Sequence, residues 1–181
     1  MVLFLFGISG SGKSFVGQCL AEVLGWHVYE ADQDITDAMR LALAEHRPFT
    51  NAMRDEYFTL LVEKIQALQA QYPKIIVTQA CYKQRHRDYL LSHIDTCRLV
   101  HIHADETVIL SRIKNRKHGI SIESARALID DFEFPVDRSQ TINNNGSLKS
   151  LAEQALQLAN KTTGFGDQDL KNLEHWLNEQ A

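Results

Sequence analysis

Residues 3–20 read LFLFGISGSGKSFVGQCL, in which a glycine-rich turn separates an apolar run from an amphipathic one. Gly7, Gly12, Lys13 and Ser14 satisfy the pattern G-x-x-x-x-G-K-[ST], directly between a predicted strand and a predicted helix. Glycines let the backbone turn its N–H groups toward phosphate oxygens, and the start of a helix adds its positive dipole end. The lysine can reach the outer phosphates, and the serine hydroxyl can bind Mg²⁺. The stretch therefore predicts a phosphate-binding loop that holds a nucleotide.

The composition is typical of one domain of ordinary size. The chain has 181 residues, 19 basic and 23 acidic side chains, and a formal net charge of −4. This balance gives no bulk attraction to nucleic acid. No apolar stretch approaches the roughly 18 residues that a membrane span needs, and the first residues lack the basic start of a secretory signal. We therefore expect neither nucleic acid nor a membrane as a partner.

Cysteine and histidine usage gives two further expectations. Cys19, Cys81 and Cys97 are sparse and odd in number, which is typical of a reducing compartment and predicts a cytoplasmic protein. His101 and His103 lie two residues apart on a predicted strand, where they can chelate a metal. In a central parallel strand such histidines are more often packed and neutral, and we favour that interpretation.

Short apolar runs alternate with helical patterns along the chain. The runs predict strands at 2–6, 26–29, 74–80, 97–104 and 139–142. The helical patterns predict helices at 13–24, 34–44, 51–71, 84–93, 105–117, 121–131 and 147–160, with Gly25 ending the first and Ser121 capping the sixth. Apolar strands alternating with helices indicate an α/β fold, with a parallel sheet covered on both faces.

The C-terminal residues have a pattern of their own. Residues 160–167 are polar and contain glycine, and residues 167–181 carry leucines and a tryptophan at helical spacing. We expect a helix docked on its own domain, and a dimer contact is the alternative.

Carboxylates follow the second predicted strand, in the sequence YEADQD. The carboxyl ends of strands in an open α/β sheet face the ligand crevice, so Glu30 and Asp32 are expected to face the phosphate loop. A carboxylate there can accept a proton or a hydrogen bond from an attacking hydroxyl, or support the metal through water. The alternative is that these acids only cap the next helix.

Two observations favour a small kinase over a GTPase or a motor. The sequence has no N-K-x-D guanine signature, and the third strand, IIVTQA, ends without the acidic residue of a typical Walker B site. Magnesium would then depend on Ser14, the nucleotide, water and a carboxylate elsewhere.

At this point the sequence resembles the P-loop small-molecule kinases of the gluconate kinase and shikimate kinase type, most closely the gluconokinases, over residues 4–158. GISGSGKS is similar to that family's phosphate loop, and EADQD stands where gluconokinases carry D-G-D. RPFTNAMRDEYF resembles G-x-P-L-x-D-x-D-R-x-P-W-L, and QACYKQRHRDYLL resembles S-A-L-K-x-x-Y-R-D-x-L-R with one residue inserted. IHADETVILSRIKNRKHG resembles the strand and helix that lead into the family's lid.

The resemblance implies a kinase domain over 1–161 with a five-stranded parallel sheet flanked by helices, a lid near 117–137, and an added C-terminal linker and helix at 162–181. It implies transfer of the γ-phosphate of ATP, with Mg²⁺, to a hydroxyl of a small polyhydroxy acid or sugar, gluconate-like first. The alternatives are a kinase of another small acceptor (shikimate, a nucleoside or an antibiotic) and a nucleotide-binding module without catalysis. Monomer and homodimer both stay open.

The resemblance also implies roles for residues on the nucleotide side. Lys13, Asp32 and Arg116 are expected to be catalytic, with Asp32 engaging the acceptor hydroxyl and Arg116 reaching the phosphates from the lid. Ser14 is the expected metal ligand. The residues expected to bind ATP are Gly7, Ser9, Gly10, Ser11, Gly12, Lys13, Ser14, Phe15 and Arg112. Arg112 and Arg116 are four residues apart on one predicted helix face, just before a glycine-containing lid.

On the acceptor side, the resemblance implies that Arg54, Lys83 and Arg87 line a pocket with Asp32. Guanidinium forks suit a planar carboxylate, so the two arginines suit an anionic acceptor. The family's D-x-D-R acids are replaced here by NAMR, and its lid signature is reduced to DDFEFP. An acceptor other than gluconate is therefore an alternative.

The sequence TINNNGSL follows the last predicted strand, where such kinases hold adenine. Residues 143–145 can serve that purpose or form a turn before Ser147, a predicted N-cap. Both interpretations stay open.

Overall fold

The computed structural model describes residues 1–45, 47–115, 122–135 and 139–180. Within these ranges the strands are Val2–Phe6 (β1), His27–Glu30 (β2), Ile75–Gln79 (β3), Cys97–His103 (β4) and Ser139–Asn143 (β5). The α-helices are Lys13–Leu24 (α1), Asp37–Ala44 (α2), Asn51–Gln69 (α3), Gln84–His93 (α4), Glu106–Lys114 (α5), Ile122–Asp130 (α6), Leu148–Lys161 (α7) and Asp167–Glu179 (α8). None of these helices is both long enough and apolar enough to cross a membrane.

The five described strands form one parallel sheet in the order β2-β3-β1-β4-β5, which confirms the predicted fold class. Val2 of β1 pairs with Ile75 of β3 on one side and with Cys97 of β4 on the other. The chain builds the sheet first on one side of β1 and then on the other. A parallel sheet binds ligands at such a switch point, beyond the carboxyl ends of its strands. The phosphate loop lies there, directly after β1.

The core lies on both faces of the sheet, because successive side chains of β1 point to opposite sides. Val2, Phe4 and Phe6 pack with α3 and α4, whereas Leu3 and Leu5 pack with α1, α7 and α8. All five residues of β1 are fully buried. The phosphate loop therefore follows a strand that is buried on both faces of the sheet.

Several predicted boundaries are wrong by a few residues. The second strand was expected at 26–29 and is His27–Glu30, and the helix expected at 34–44 begins only at Asp37. The reason for the later start is a cap, since the hydroxyl of Thr36 accepts a hydrogen bond from the Met39 N–H at 3.2 Å. The residues before it, Ala31–Asp34, form a 3₁₀ turn. Ser121, expected to cap α6, lies outside the described residues.

The C-terminal helix docks on its own chain, as expected. Leu173 and Trp176 of α8 are buried against α1 and α7. Asp169, also buried, accepts hydrogen bonds from Trp26 Nε1 at 2.9 Å and from Lys74 Nζ at 2.5 Å. One carboxylate thus ties α8 to residues that precede β2 and β3.

Replacing Asp169 by alanine is expected to lower the free energy of unfolding by about 2 kcal/mol, because the buried Trp26 indole and the partly buried Lys74 ammonium lose their acceptor. Burial opposes ionisation of this carboxyl, but the hydrogen bonds from Lys74, the Gly166 N–H and Trp26 together hold its pKa below the ordinary value. A lowered folded-state pKa stabilises the protein above the unfolded-state pKa, and that stabilisation disappears as the pH falls through the folded-state pKa. Urea unfolding of both proteins at neutral and acidic pH checks this.

Asp167→Ala is the matched control, because it removes an exposed acidic charge from the same first turn of α8. The two variants should differ clearly at neutral pH and converge in acid. Equal stabilities at neutral pH would contradict the role assigned to Asp169.

Candidate active site

The loop between β1 and α1 has the backbone shape that phosphate binding requires. Gly10 and Gly12 have φ values of 91° and 92°, in the left-handed region that other residues rarely adopt. A Cβ atom on Gly12 would lie 2.2 Å from Nδ2 of Asn144. Gly12 is also the N-cap of α1, so it has no side chain to occupy the first N–H groups of that helix. These amides therefore stay available to an anion at the positive end of α1.

The side chains of the loop complete a donor set suited to a polyphosphate. Lys13 is buried, and its Nζ donates to the Ile8 carbonyl at 3.1 Å, so the ammonium group lies against the loop. Ser14 follows in the first turn of α1, where a hydroxyl can serve as a ligand of Mg²⁺. Phe15 is half-exposed beside it. Ammonium, hydroxyl and backbone amides fit ATP with magnesium.

Two neighbouring side chains fasten this loop by its backbone. Arg112 donates to the Ser11 carbonyl at 3.1 Å and to the Asn144 carbonyl at 2.8 Å. The side-chain amide of Asn144 donates to the same Ser11 carbonyl at 2.8 Å. Arg112, predicted to bind ATP, thus lies next to the loop and holds its shape. Ser147 caps α7, as predicted, by accepting a hydrogen bond from the Ser150 N–H at 3.3 Å. A turn at residues 144–145 precedes it and Asn143 ends β5, while adenine binding at these residues stays a prediction.

Asp32 lies in the 3₁₀ turn that follows β2, and the residue is exposed. Desolvation by the surrounding protein atoms raises the pKa of its carboxyl above the ordinary value, although the positive charge of Lys13 and a hydrogen bond with Gln79 act against this. The nearby charge of Glu30 also raises it. A raised pKa makes a carboxylate a better proton acceptor. Glu30 itself accepts a hydrogen bond from Gln18 of α1 at 2.6 Å.

Gln79 is a site residue that the sequence interpretation missed. It is buried at the carboxyl end of β3, and its Nε2 donates to the hydroxyl of Tyr57. That hydroxyl donates to the Ala31 carbonyl at 2.8 Å, immediately before Asp32. The side chains of Gln79 and Tyr57 therefore position the turn that carries Asp32. One sequence signal could have identified Gln79. The third strand, IIVTQA, ends with this glutamine and an alanine where a typical Walker B site has an acidic residue.

The structure brings together two of the three cations predicted on the acceptor side. Arg54 of α3 and Lys83, the N-cap of α4, both contact the carboxylate of Asp131, at 3.2 and 2.7 Å. Lys83 Nζ also lies 3.4 Å from Glu133. The guanidinium of Arg54 lies 5.9 Å from the centre of the Tyr82 ring. These residues form a charged cluster at the carboxyl side of the sheet.

Arg87 differs from the other two cations because it is 0% exposed. Its guanidinium donates to the Cys81 carbonyl at 2.9 Å, to the Gln84 side chain at 2.8 Å and to the Glu133 carbonyl, and it lies 5.0 Å from the centre of the Phe6 ring. A buried guanidinium has no surface to offer an acceptor. The prediction of Arg87 as an acceptor ligand therefore does not fit this structure.

Part of the predicted lid, 117–137, lies outside the described residues, and so does Arg116. The described part consists of α6 and residues 131–135. Arg116 stays a prediction on the evidence of the sequence alone.

His101 is a packed residue, as the preferred interpretation expected. Its ring lies 5.2 Å from that of Phe6 and 5.4 Å from that of Phe132. Burial, together with the charges of His103, Arg87 and Lys13, lowers its pKa to about 4, so it is neutral at pH 7. Across the described ranges, no group of three or more histidine, cysteine, aspartate or glutamate side chains could hold a metal ion.

Comparisons with known proteins identify a matching family and several similar proteins. A family model described as "AAA domain" matches residues 2–135, which include the phosphate loop, Asp32 and the Arg54–Lys83–Asp131 cluster. A probable gluconokinase of Mus musculus is 32% identical over 90 residues, which are 50% of this chain and 49% of that protein. The chain thus spans about half the length of this relative.

Two solved structures share the fold. A sugar kinase from Janibacter sp. HTCC2649 has a TM-score of 0.75 and 22% identity, covering 86% of this chain and 92% of its own. A gluconokinase from Sinorhizobium meliloti 1021 has a TM-score of 0.73 and 21% identity, covering 99% of this chain and 94% of its own.

Proposed function

Because the chain belongs to the AAA domain family, with a phosphate loop of the P-loop type at its start, we propose that it is a small-molecule kinase. It transfers the γ-phosphate of ATP, with Mg²⁺, to a hydroxyl of a small polyhydroxy acid or sugar. Gluconate is the first acceptor to test, since the mouse relative carries the name gluconokinase. The observation that carries the proposal is the geometry of the phosphate loop, in which Gly10 and Gly12 have left-handed backbones and the buried Lys13 lies with its Nζ on the Ile8 carbonyl. Asp32 follows β2 at the same carboxyl edge of the sheet, where a carboxylate can meet the acceptor hydroxyl.

The chemistry follows from the residues around the loop. Bound ATP supplies the phosphoryl group, and Mg²⁺ offsets the charge of its phosphates. The loop amides and Lys13 hold the phosphates and stabilise the negative charge that develops on them. Ser14 offers its hydroxyl to the metal. Arg116 is proposed to add a further positive charge from the lid at 117–137, which would also exclude water.

Asp32 acts on the acceptor hydroxyl. Its carboxylate accepts a hydrogen bond from the acceptor hydroxyl and then its proton, and this orients the hydroxyl oxygen toward the phosphorus. Gln79 positions Asp32 through its hydrogen bond with that carboxyl and through Tyr57, which donates to the Ala31 carbonyl. Arg54 and Lys83 contribute the acceptor side of the site. We propose a cytoplasmic enzyme that acts on a small acceptor, with no nucleic acid or membrane partner.

A panel of acceptors tests the proposal by ADP release. Gluconate, neutral sugars, shikimate and nucleosides are each incubated with ATP and Mg²⁺, and at least one sugar or sugar acid should raise the rate above the ATPase background. In parallel, an acceptor that binds should raise the thermal midpoint in the presence of a non-hydrolysable ATP analogue. Turnover with none of the sugars and sugar acids would overturn the proposal.

A further inference from the structure

Arg54 and Lys83, the two cations of the charged cluster, both contact the carboxylate of Asp131. Asp131 Oδ2 lies 3.2 Å from Arg54 Nη1, and Asp131 Oδ1 lies 2.7 Å from Lys83 Nζ. Lys83 also donates to the backbone carbonyl of Asp131 at 3.0 Å. The carboxylate therefore bridges a helix and a loop that are far apart in sequence. This is the geometry in which a bound carboxylate ligand would be held by the same pair.

The charges of this cluster balance. Arg54 and Lys83 contribute two positive charges, and Asp131 and Glu133 contribute two negative ones. The hydrogen bond from Lys83, followed by its charge and the contact with Arg54, keeps the pKa of Asp131 below the ordinary value even though burial acts against this, so Asp131 is ionised at neutral pH. The carboxylate of a ligand that approached Arg54 and Lys83 would be repelled by the negative charge of Asp131, because neither cation is open.

Asp131 is held in this position by its own segment. The Glu133 N–H donates to the Tyr82 carbonyl at 2.9 Å, and the Glu133 carboxylate accepts from the Gln84 N–H at 2.7 Å. Phe132, between them, is buried. The side chains of Arg54 and Lys83 are 15% and 19% exposed, whereas that of Asp131 is 39% exposed. The Asp131 carboxylate is thus the most exposed of the three side chains and contacts both cations.

We propose that Asp131 is a specificity-determining residue, which occupies the position where Arg54 and Lys83 would bind the carboxylate of a sugar acid. A sugar acid has to displace it, whereas a neutral sugar does not. The chain therefore favours neutral hydroxylated acceptors more than a site with two open cations would. This inference rests on the proposed kinase function.

The test is Asp131→Asn, with Asp130→Asn as the matched control that removes an exposed charge from the preceding residue. Asp131→Asn is expected to lower the KM for gluconate about tenfold, since one like charge at the binding position is removed. The KM for a neutral sugar, D-glucose or sorbitol, should not change. Asp130→Asn should change neither constant. Asp131→Ala replaces the asparagine variant if the latter does not fold, as judged by circular dichroism.

A KM for gluconate that rises or stays the same in the Asp131 variant would overturn the inference, and so would an equal change for both acceptors. Calorimetric titration of gluconate in the presence of a non-hydrolysable ATP analogue separates this result from failure of the kinase proposal. Tighter gluconate binding by the Asp131 variant would support the effect of Asp131 on acceptor binding even if no sugar or sugar acid were turned over, and that absence of turnover would overturn the kinase function alone. Gluconate binding to neither protein would overturn the inference.

Discussion

Lys13→Ala is expected to lower kcat for ATP-dependent phosphorylation by at least about 10³-fold while the protein stays folded. The Lys13 ammonium is buried against the phosphate loop, with its Nζ on the Ile8 carbonyl, so it acts where charge develops on the transferred group. In a site with little water, the loss of a positive charge raises the barrier far more than it would at the surface. ADP release gives kcat, and the thermal midpoint reports the fold.

Lys149→Ala provides the control for this variant. Lys149 is exposed on α7, and its replacement by alanine also removes one ammonium group. The activity of the Lys149→Ala variant should equal that of the wild type. Turnover retained by Lys13→Ala would remove the basis for every role assigned at the phosphate loop.

Asp32→Asn is expected to lower kcat by about 10²- to 10⁴-fold with little change in the KM for ATP, because the amide cannot accept the proton of the acceptor hydroxyl. The pH dependence follows from the raised pKa of Asp32, for which desolvation by the surrounding protein atoms is the first cause. Since the base must be ionised, wild-type activity should fall as the pH drops through that raised pKa. This fall in activity on the acid side of the pH profile, the acid limb, should be absent in the Asp32→Asn variant. Steady-state rates across the pH range measure both effects.

Asp34→Asn is the matched control, because Asp34 lies in the same 3₁₀ turn but hydrogen-bonds the Tyr29 hydroxyl at 2.9 Å. Its kcat should stay close to the wild-type value. If Asp32→Asn kept both its rate and its acid limb, the carboxylate would have no part in proton transfer, and the nucleotide-binding alternative would gain weight.

The phosphate loop and the sheet could be predicted because their signals are local. The bounds of β1, α1 and α4 agree with the predicted ones, because the pattern of apolar residues is contained within each segment. For α1, the C-cap Gly25 also marks the end of the helix. The start of α2 was predicted too early, because the competition between a 3₁₀ turn and the Thr36 cap is decided by side-chain contacts that periodicity does not encode.

The acceptor side could be predicted only in part, because its contacts are distant in sequence. Arg54 meets Asp131 across 77 residues, and Lys83 meets it across 48. The residue types at Arg54 and Lys83 indicated anion binding, but nothing local showed that the chain supplies the anion itself. Arg87 gave the same signal and is buried. A cation pattern therefore identifies candidates, and the partner of each has to come from the structure.

Arg112 lies in the last turn of α5, where its guanidinium grips the backbone of the phosphate loop, and the chain runs on from there to Arg116. The same side chain also donates to the Asn144 carbonyl, so one guanidinium joins the phosphate loop to the turn after β5. A substitution at Arg112 would therefore leave two backbone carbonyls without this donor and would loosen the loop before any contact with a nucleotide is lost.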